Sequence, residues 1–208
     1  MKKLLAILFT VISINSFAQS ANYEAAMGST LQQFGTATTT EALTAVAAKF
    51  ERIGDAKKTE WLPYYYAGLI KARLGFQIAG QGDKLADEAE ALANKANAIN
   101  KNSEILCLQS MIATVRLIVD PMSRWMTYGK QSGAFLDEAK KLDPTNPRPY
   151  VLESSSLKNT PEAFGGGCST AKPVAEAALK LFETFKPVSA LYPNWGKDQA
   201  EALVAACK

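Results

Sequence analysis

Apolar residues recur at helical spacing from Thr39 to the C-terminus, and no stretch alternates as a strand would. Thr39–Asp55 sets Leu43, Val46, Phe50 and Ile53 on one stripe. Thr59 is the expected N-cap of a second helix, continued by Trp61, Tyr65, Leu69 and Leu74 and broken at Gly80-Gln81-Gly82. A third runs from Asp83 to Ile99. The fourth opens at Asn102-Ser103-Glu104 and ends at Asp120-Pro121. The pattern predicts a fifth helix over Ser123–Leu142, a sixth over Arg148–Leu157, a seventh over Ala171–Phe185 and an eighth over Asn194–Cys207. Ahead of these, Ala21–Phe34 is either a capping helix or a loose arm. The spacing of Ala25, Met27, Leu31 and Phe34 favours the cap.

The helix ends themselves repeat. Ile53, Ile99, Leu142 and Phe185 close helices at intervals of 46, 43 and 43 residues. Ala89, Ser132 and Ala175 occupy equivalent positions ten residues earlier in the last three copies, where a small side chain lets a neighbouring helix come close. A period of this size built from helix pairs implies units that bury their faces against one another. The expected fold class is all-α: a short right-handed superhelix of antiparallel helix hairpins.

Ala139-Lys-Lys-Leu-Asp-Pro-Thr-Asn-Pro-Arg-Pro-Tyr150 resembles the junction between two tetratricopeptide repeats: an alanine, an Asp-Pro-x-Asn stop, then an aromatic opening the next helix. The repeat here is longer than that family's usual ~34 residues, and Tyr65 stands where its first-helix glycine would be. Trp61-Leu-Pro-Tyr-Tyr-Tyr66, the glycine-rich stretch ending in Cys168, and Pro193-Asn-Trp-Gly196 are similar to a family of small exported tetratricopeptide-like proteins of Gram-negative bacteria. This resemblance implies architecture and compartment, and no activity. It implies that Trp61 and Tyr65 pack inside a hairpin while Tyr66, Leu69 and Arg73 line a concave groove, with Arg116, Arg148 and Trp195 in the same lining. Trp61, Tyr66, Leu69, Arg73, Arg116, Arg148 and Trp195 are therefore the candidate binding residues. The bland alternative is repeat packing with solvated arginines.

The first residues read as an export signal: Lys2 and Lys3, eleven apolar residues from Leu4 to Ile14, and Ser16-Phe17-Ala18 as a cleavage site. Residues 1–18 are expected to be removed, leaving 19–208 as a single domain that is periplasmic or secreted. No cysteine stands at the cleavage point to carry a lipid, and no membrane insertion is expected after cleavage. Without Lys2 and Lys3, 21 basic residues face 20 acidic ones, a balance that favours neither nucleic acid nor anionic membrane. In an oxidising compartment, three cysteines invite a disulfide. Cys168 precedes the seventh helix and Cys207 ends the eighth, so an antiparallel hairpin brings them together. The alternative is two unpaired thiols. Cys107, in an apolar run, reads as core packing.

The 208 residues contain no histidine, which removes imidazole general bases, Ser-His and Cys-His pairs and every His-containing metal site. Gly165-Gly166-Gly167 lacks the lysine and the preceding strand of a phosphate loop and reads as a flexible connector. The acidic runs Asp87-Glu88-Ala89-Glu90 and Asp137-Glu138 read as solvated helix faces. No cofactor and no metal are implied. The first functional expectation is a non-catalytic scaffold holding a peptide or protein segment in its groove. The alternative is a small-ligand or glycan binder using an aromatic pocket; an enzyme working through carboxylates, tyrosine or lysine is the third and weakest.

Overall fold

Short polar side chains start several helices where the sequence places them. The Thr39 hydroxyl accepts the Ala42 N–H at 3.1 Å and the Asn102 side chain accepts the Ile105 N–H at 3.1 Å, each satisfying a donor with no partner inside its helix. The structure is a computed structural model and describes residues 21–207; the export signal lies outside the described residues. The helices are α1 (21–36), α2 (Thr40–Ala56), α3 (Leu62–Gln77), α4 (Gly82–Ile99), α5 (Ser103–Val119), α6 (Pro121–Arg124), α7 (Lys130–Leu142), α8 (Arg148–Asn159), α9 (Cys168–Thr184) and α10 (Lys197–Ala206). No strand occurs among the described residues, so the fold is all-α.

Three expectations change, and one open alternative resolves to the favoured cap. Thr59 caps nothing: α3 starts at Leu62 behind Trp61, because Pro63, which has no N–H to leave unsatisfied, fits the first turn. The expected fifth helix is broken into α6, a π-helical turn at Trp125–Gly129, and α7. The triple glycine is an ordered turn rather than a flexible connector, since Gly166 and Gly167 donate to the carbonyls of Pro161 (3.2 Å) and Leu157 (2.9 Å). The N-terminal segment is a helix and docks: Met27 is fully buried, and the Phe34 ring meets Phe50 and Tyr66 edge-on, both at 6.4 Å.

Consecutive helices pack on one another along the chain, from α2 on α3 to α9 on α10, and α3 also meets α5, as α5 meets α8. The repeat position ten residues before each helix end is buried in all three copies, at Ala89, Ser132 and Ala175. α3 and α5 are central and apolar on nearly all sides, as a helix with neighbours all round must be. They approach closely through Gly68 and Gly75, where an added Cβ would stand 3.0 Å from the Leu108 side chain and 2.7 Å from Val115.

At the C-terminal end, Cys168 and Cys207 form the expected disulfide, with Cα atoms 5.1 Å apart. It closes the α9–α10 hairpin at one end, and at the other the chain crosses from α9 to α10 through a strap, Phe185–Gly196. Cys107 is a buried free thiol.

Candidate functional site

The strap decides what the central helices can offer. Tyr64, Tyr65 and Tyr66 are consecutive and spread around α3, with Trp61 at its N-cap, and each tyrosine meets a different neighbour. Tyr64 donates to the Asp55 carboxylate of α2 at 2.9 Å. The Trp195 indole N–H donates to the Tyr65 hydroxyl at 2.9 Å, and Tyr66 donates to the Leu191 carbonyl at 2.8 Å. Trp61 packs edge-on against Tyr65 and against Tyr192 of the strap, at 5.6 and 5.7 Å. Burial pushes Tyr65 and Tyr66 well above the usual phenol range and Tyr64 up to about 12, with Asp55 adding to the rise at Tyr64.

Arg148 is the strap's anchor. Its side chain is fully buried, with Nε donating to Glu104 at 2.7 Å and Nη2 to the Pro193 carbonyl at 2.5 Å. Its guanidinium carbon lies 4.6 Å from the centre of the Phe185 ring. Asn146 donates to the other Glu104 oxygen at 2.8 Å and to Ser103 at 3.0 Å, and accepts the Arg148 backbone N–H at 3.0 Å. Burial raises the Glu104 carboxyl above its ordinary pKa, while Arg148 and Asn146 pull the other way. Gly196, at φ +109°, makes the turn that leads from the strap into α10.

The groove expectation is corrected accordingly. Tyr66, Leu69 and Arg148 lie in the interior, because the strap fills the space over α3 and α8 where a peptide would have run. Trp61 and Trp195 are half-buried strap contacts. Arg116 belongs to another face: it pairs with Asp87 and Glu90 of α4 at 2.7 and 2.8 Å, so those acids hold an arginine rather than facing only solvent.

Arg73 is different. It lines an open cleft of about 220 Å³ together with Phe34, Ala37, Leu43, Ile70 and Gln77, between α1, α2 and α3. Its guanidinium carbon sits 5.5 Å from the centre of the Phe34 ring and 5.7 Å from that of Trp195, in cation–π range of both. Arg116, Arg124 and Arg148 each hold a carboxylate. Arg73 has no ion pair and no hydrogen-bond acceptor for its side chain among the described residues, and burial lowers its pKa. Phe76, one residue from Gln77, is exposed. The residues expected from sequence to bind include Arg73 but none of the others that line this cleft. Phe34 and Leu43 carry only the signal of helical stripes, and nothing in the sequence brings α1 against α3.

A second apolar surface lies around the end of α5. Arg116 and Arg124 both lie over the Tyr128 ring, at 5.8 and 6.0 Å, while Ile118, Val119, Met122, Trp125 and Met126 are exposed. The π-helical turn adds a residue per turn there, and such turns recur at functional sites.

The fold and its cleft thus define an all-α protein, closed by a disulfide and open at a cleft whose arginine has no ion pair among the described residues. The protein is similar over nearly its whole length to the HusA haemophore from Porphyromonas gingivalis: 36% identity, covering 89% of this chain and 92% of that one, with a TM-score of 0.82. The chain belongs to the family of that haemophore. No family model and no curated protein matches it. The relationship supports a helical, repeat-like fold without placing it among tetratricopeptide repeats. The expected protein or peptide partner is overturned, because the relative is named as a haemophore and the strap occupies the groove.

Proposed function

We propose that this chain is an exported, non-catalytic binding protein whose cargo is haem or a closely related porphyrin, and that the Phe34–Leu43–Ile70–Arg73 cleft holds it. The observation that carries the reading is the 36% identity to a haemophore across 89% of the chain; the cleft supports it by joining apolar side chains to a cation. Phe34, Ala37, Leu43 and Ile70 supply apolar walls for a flat macrocycle. Pockets that enclose a whole ligand measure roughly 300–1,000 Å³. A cleft of about 220 Å³ therefore takes one edge of the ring and leaves the rest outside, toward the exposed Phe76. A carrier that hands its cargo on benefits from such partial exposure. With no histidine in the chain, imidazole does not ligate the iron, and binding rests on the ring and its substituents.

The disulfide fits an oxidising compartment, and no helix among the described residues is long and apolar enough to cross a membrane. These support a mature protein, residues 19–208, that works as one domain in the periplasm or outside the cell. The order of helix contacts supports the finer architectural reading of a short solenoid of antiparallel hairpins.

The test is a haem titration of the mature chain followed at the Soret band, with helix content checked by circular dichroism. Wild type is expected to saturate, and Leu43→Glu, which puts a carboxylate on a half-buried cleft wall, to bind at least about tenfold more weakly with the fold intact. Failure of wild type to saturate would refute haem carriage. Full affinity in Leu43→Glu, with loss instead in Trp125→Ser, would move the site to the second apolar surface.

A further inference from the structure

We infer that Arg73 is the group that recognises a carboxylate on the ligand, so that the cleft selects flat apolar molecules carrying a free acid over the same molecules as neutral esters. This rests on the porphyrin reading above and adds what determines specificity within it.

The argument begins with what an arginine in this position lacks. A guanidinium presents five N–H donors and carries its charge at all accessible pH values. Partly withdrawn from water, it ordinarily takes a carboxylate, as Arg116, Arg124 and Arg148 do here. Arg73 has Phe34 and Trp195 over it and no acceptor among the described residues. Stacking on aromatic rings leaves the edge of the guanidinium, where its N–H groups lie, free to donate. The walls beside it are apolar and carry no acid: Phe34, Ala37, Leu43 and Ile70, with Gln77 as the neutral polar neighbour. A cation without a counter-ion, at the side of an apolar cleft, is complementary to an amphipathic acid, and the pairing gains strength because less water competes for it. Porphyrins of the haem type carry propionic acid side chains on one edge of the ring, so the edge that enters the cleft brings the carboxylate to Arg73.

The position is also held from outside the cleft. Trp195 is fixed by its indole bond to Tyr65. Its neighbour Pro193 is fixed by Arg148. The strap thus sets one ring over the Arg73 guanidinium, while α1 supplies the other through Phe34. Trp195 is therefore a positioning residue for Arg73.

The experiment titrates the mature chain with protoporphyrin IX and with its dimethyl ester, which keeps the ring and removes both negative charges. Porphyrin emission and tryptophan quenching are the readouts. Wild type is expected to prefer the free acid by roughly tenfold to a hundredfold, the range of a charge-assisted pair. Arg73→Met, which keeps an apolar stem of similar length, is expected to bind acid and ester alike. Arg73→Lys is expected to keep part of the preference, because the charge remains but the paired donors do not. Equal binding of acid and ester by wild type, or an undiminished preference in folded Arg73→Met, overturns the inference and leaves the porphyrin reading standing. Binding of neither porphyrin by wild type overturns both. Should Arg73→Met fail to fold, the acid-to-ester ratio of wild type and of Arg73→Lys still decides the matter.

Discussion

The strap makes a quantitative demand on the buried ion pair beneath it. Arg148→Met leaves the Glu104 carboxylate, 1% exposed in its side chain, without its cation, and removes the bond to the Pro193 carbonyl. Removing one partner of a buried pair costs about 3–5 kcal/mol, because the remaining charge stays desolvated. For a chain of this size each kcal/mol lowers Tm by about 2–4 °C, so a fall of roughly 6–20 °C is expected. Thermal unfolding at pH 7 by circular dichroism, with the disulfide oxidised, measures it. Two controls test the mechanism. Glu104→Met with Arg148→Met removes both charges and is expected to regain most of the loss, since an apolar pair of similar volume often matches a buried ion pair. The deficit of Arg148→Met is also expected to shrink as pH falls into the carboxylate range. Glu104 titrates above its unfolded value, so protonation removes the buried charge there, and the penalty returns as pH rises. A loss below about 1 kcal/mol, or a double variant no better than the summed singles, would refute the reasoning that the pair pins the strap.

Two further outcomes follow from the same packing. Tyr64, Tyr65 and Tyr66 all have pKa values raised by burial, so their contribution to stability is complete below pH 10 and is lost as pH climbs through their folded values. Tyrosinate absorbance is expected to rise late, as a cooperative step coinciding with loss of helix, whereas phenols titrating near pH 10 in a folded chain would contradict the burial. Replacing Cys168 and Cys207 by serine opens a crosslink spanning 39 residues and is expected to cost about 3–4 kcal/mol in urea unfolding. An unchanged midpoint with unchanged slope would show that the strap alone closes the hairpin.

The seven candidate binding residues show why a sequence stops short of a site. Arg73 and Arg148 are both arginines in apolar helical contexts, with nothing local to separate them. Arg148 becomes an interior anchor only because Glu104, 44 residues earlier, and Pro193, 45 residues later, meet it. Arg73 has no ion pair because no acid among the described residues reaches it. Tyr66 was assigned to a groove by analogy with open repeats, and here the Leu191 carbonyl caps its hydroxyl from 125 residues away. The pattern predicts one helix over Ser123–Leu142, whereas Pro121 starts a short helix and a π-helical turn follows, and Met122, Trp125 and Met126 are exposed there.

What the sequence by itself determined is everything that local periodicity and chemistry control. Apart from the broken fifth helix, helical spacing gave the helices within a few residues, small residues at fixed offsets marked closely packed faces, and Cys168 and Cys207, at the first and last positions of a helical hairpin, gave the disulfide. The missing histidines excluded imidazole chemistry outright. Tertiary structure alone decided that the strap between α9 and α10 folds back over α3, that a cleft opens between α1 and α3, and that its arginine has no counter-ion among the described residues. Those outcomes depend on contacts between residues far apart in the chain, whose free energies are set by mutual burial and geometry, and neither is written in any single stretch of sequence.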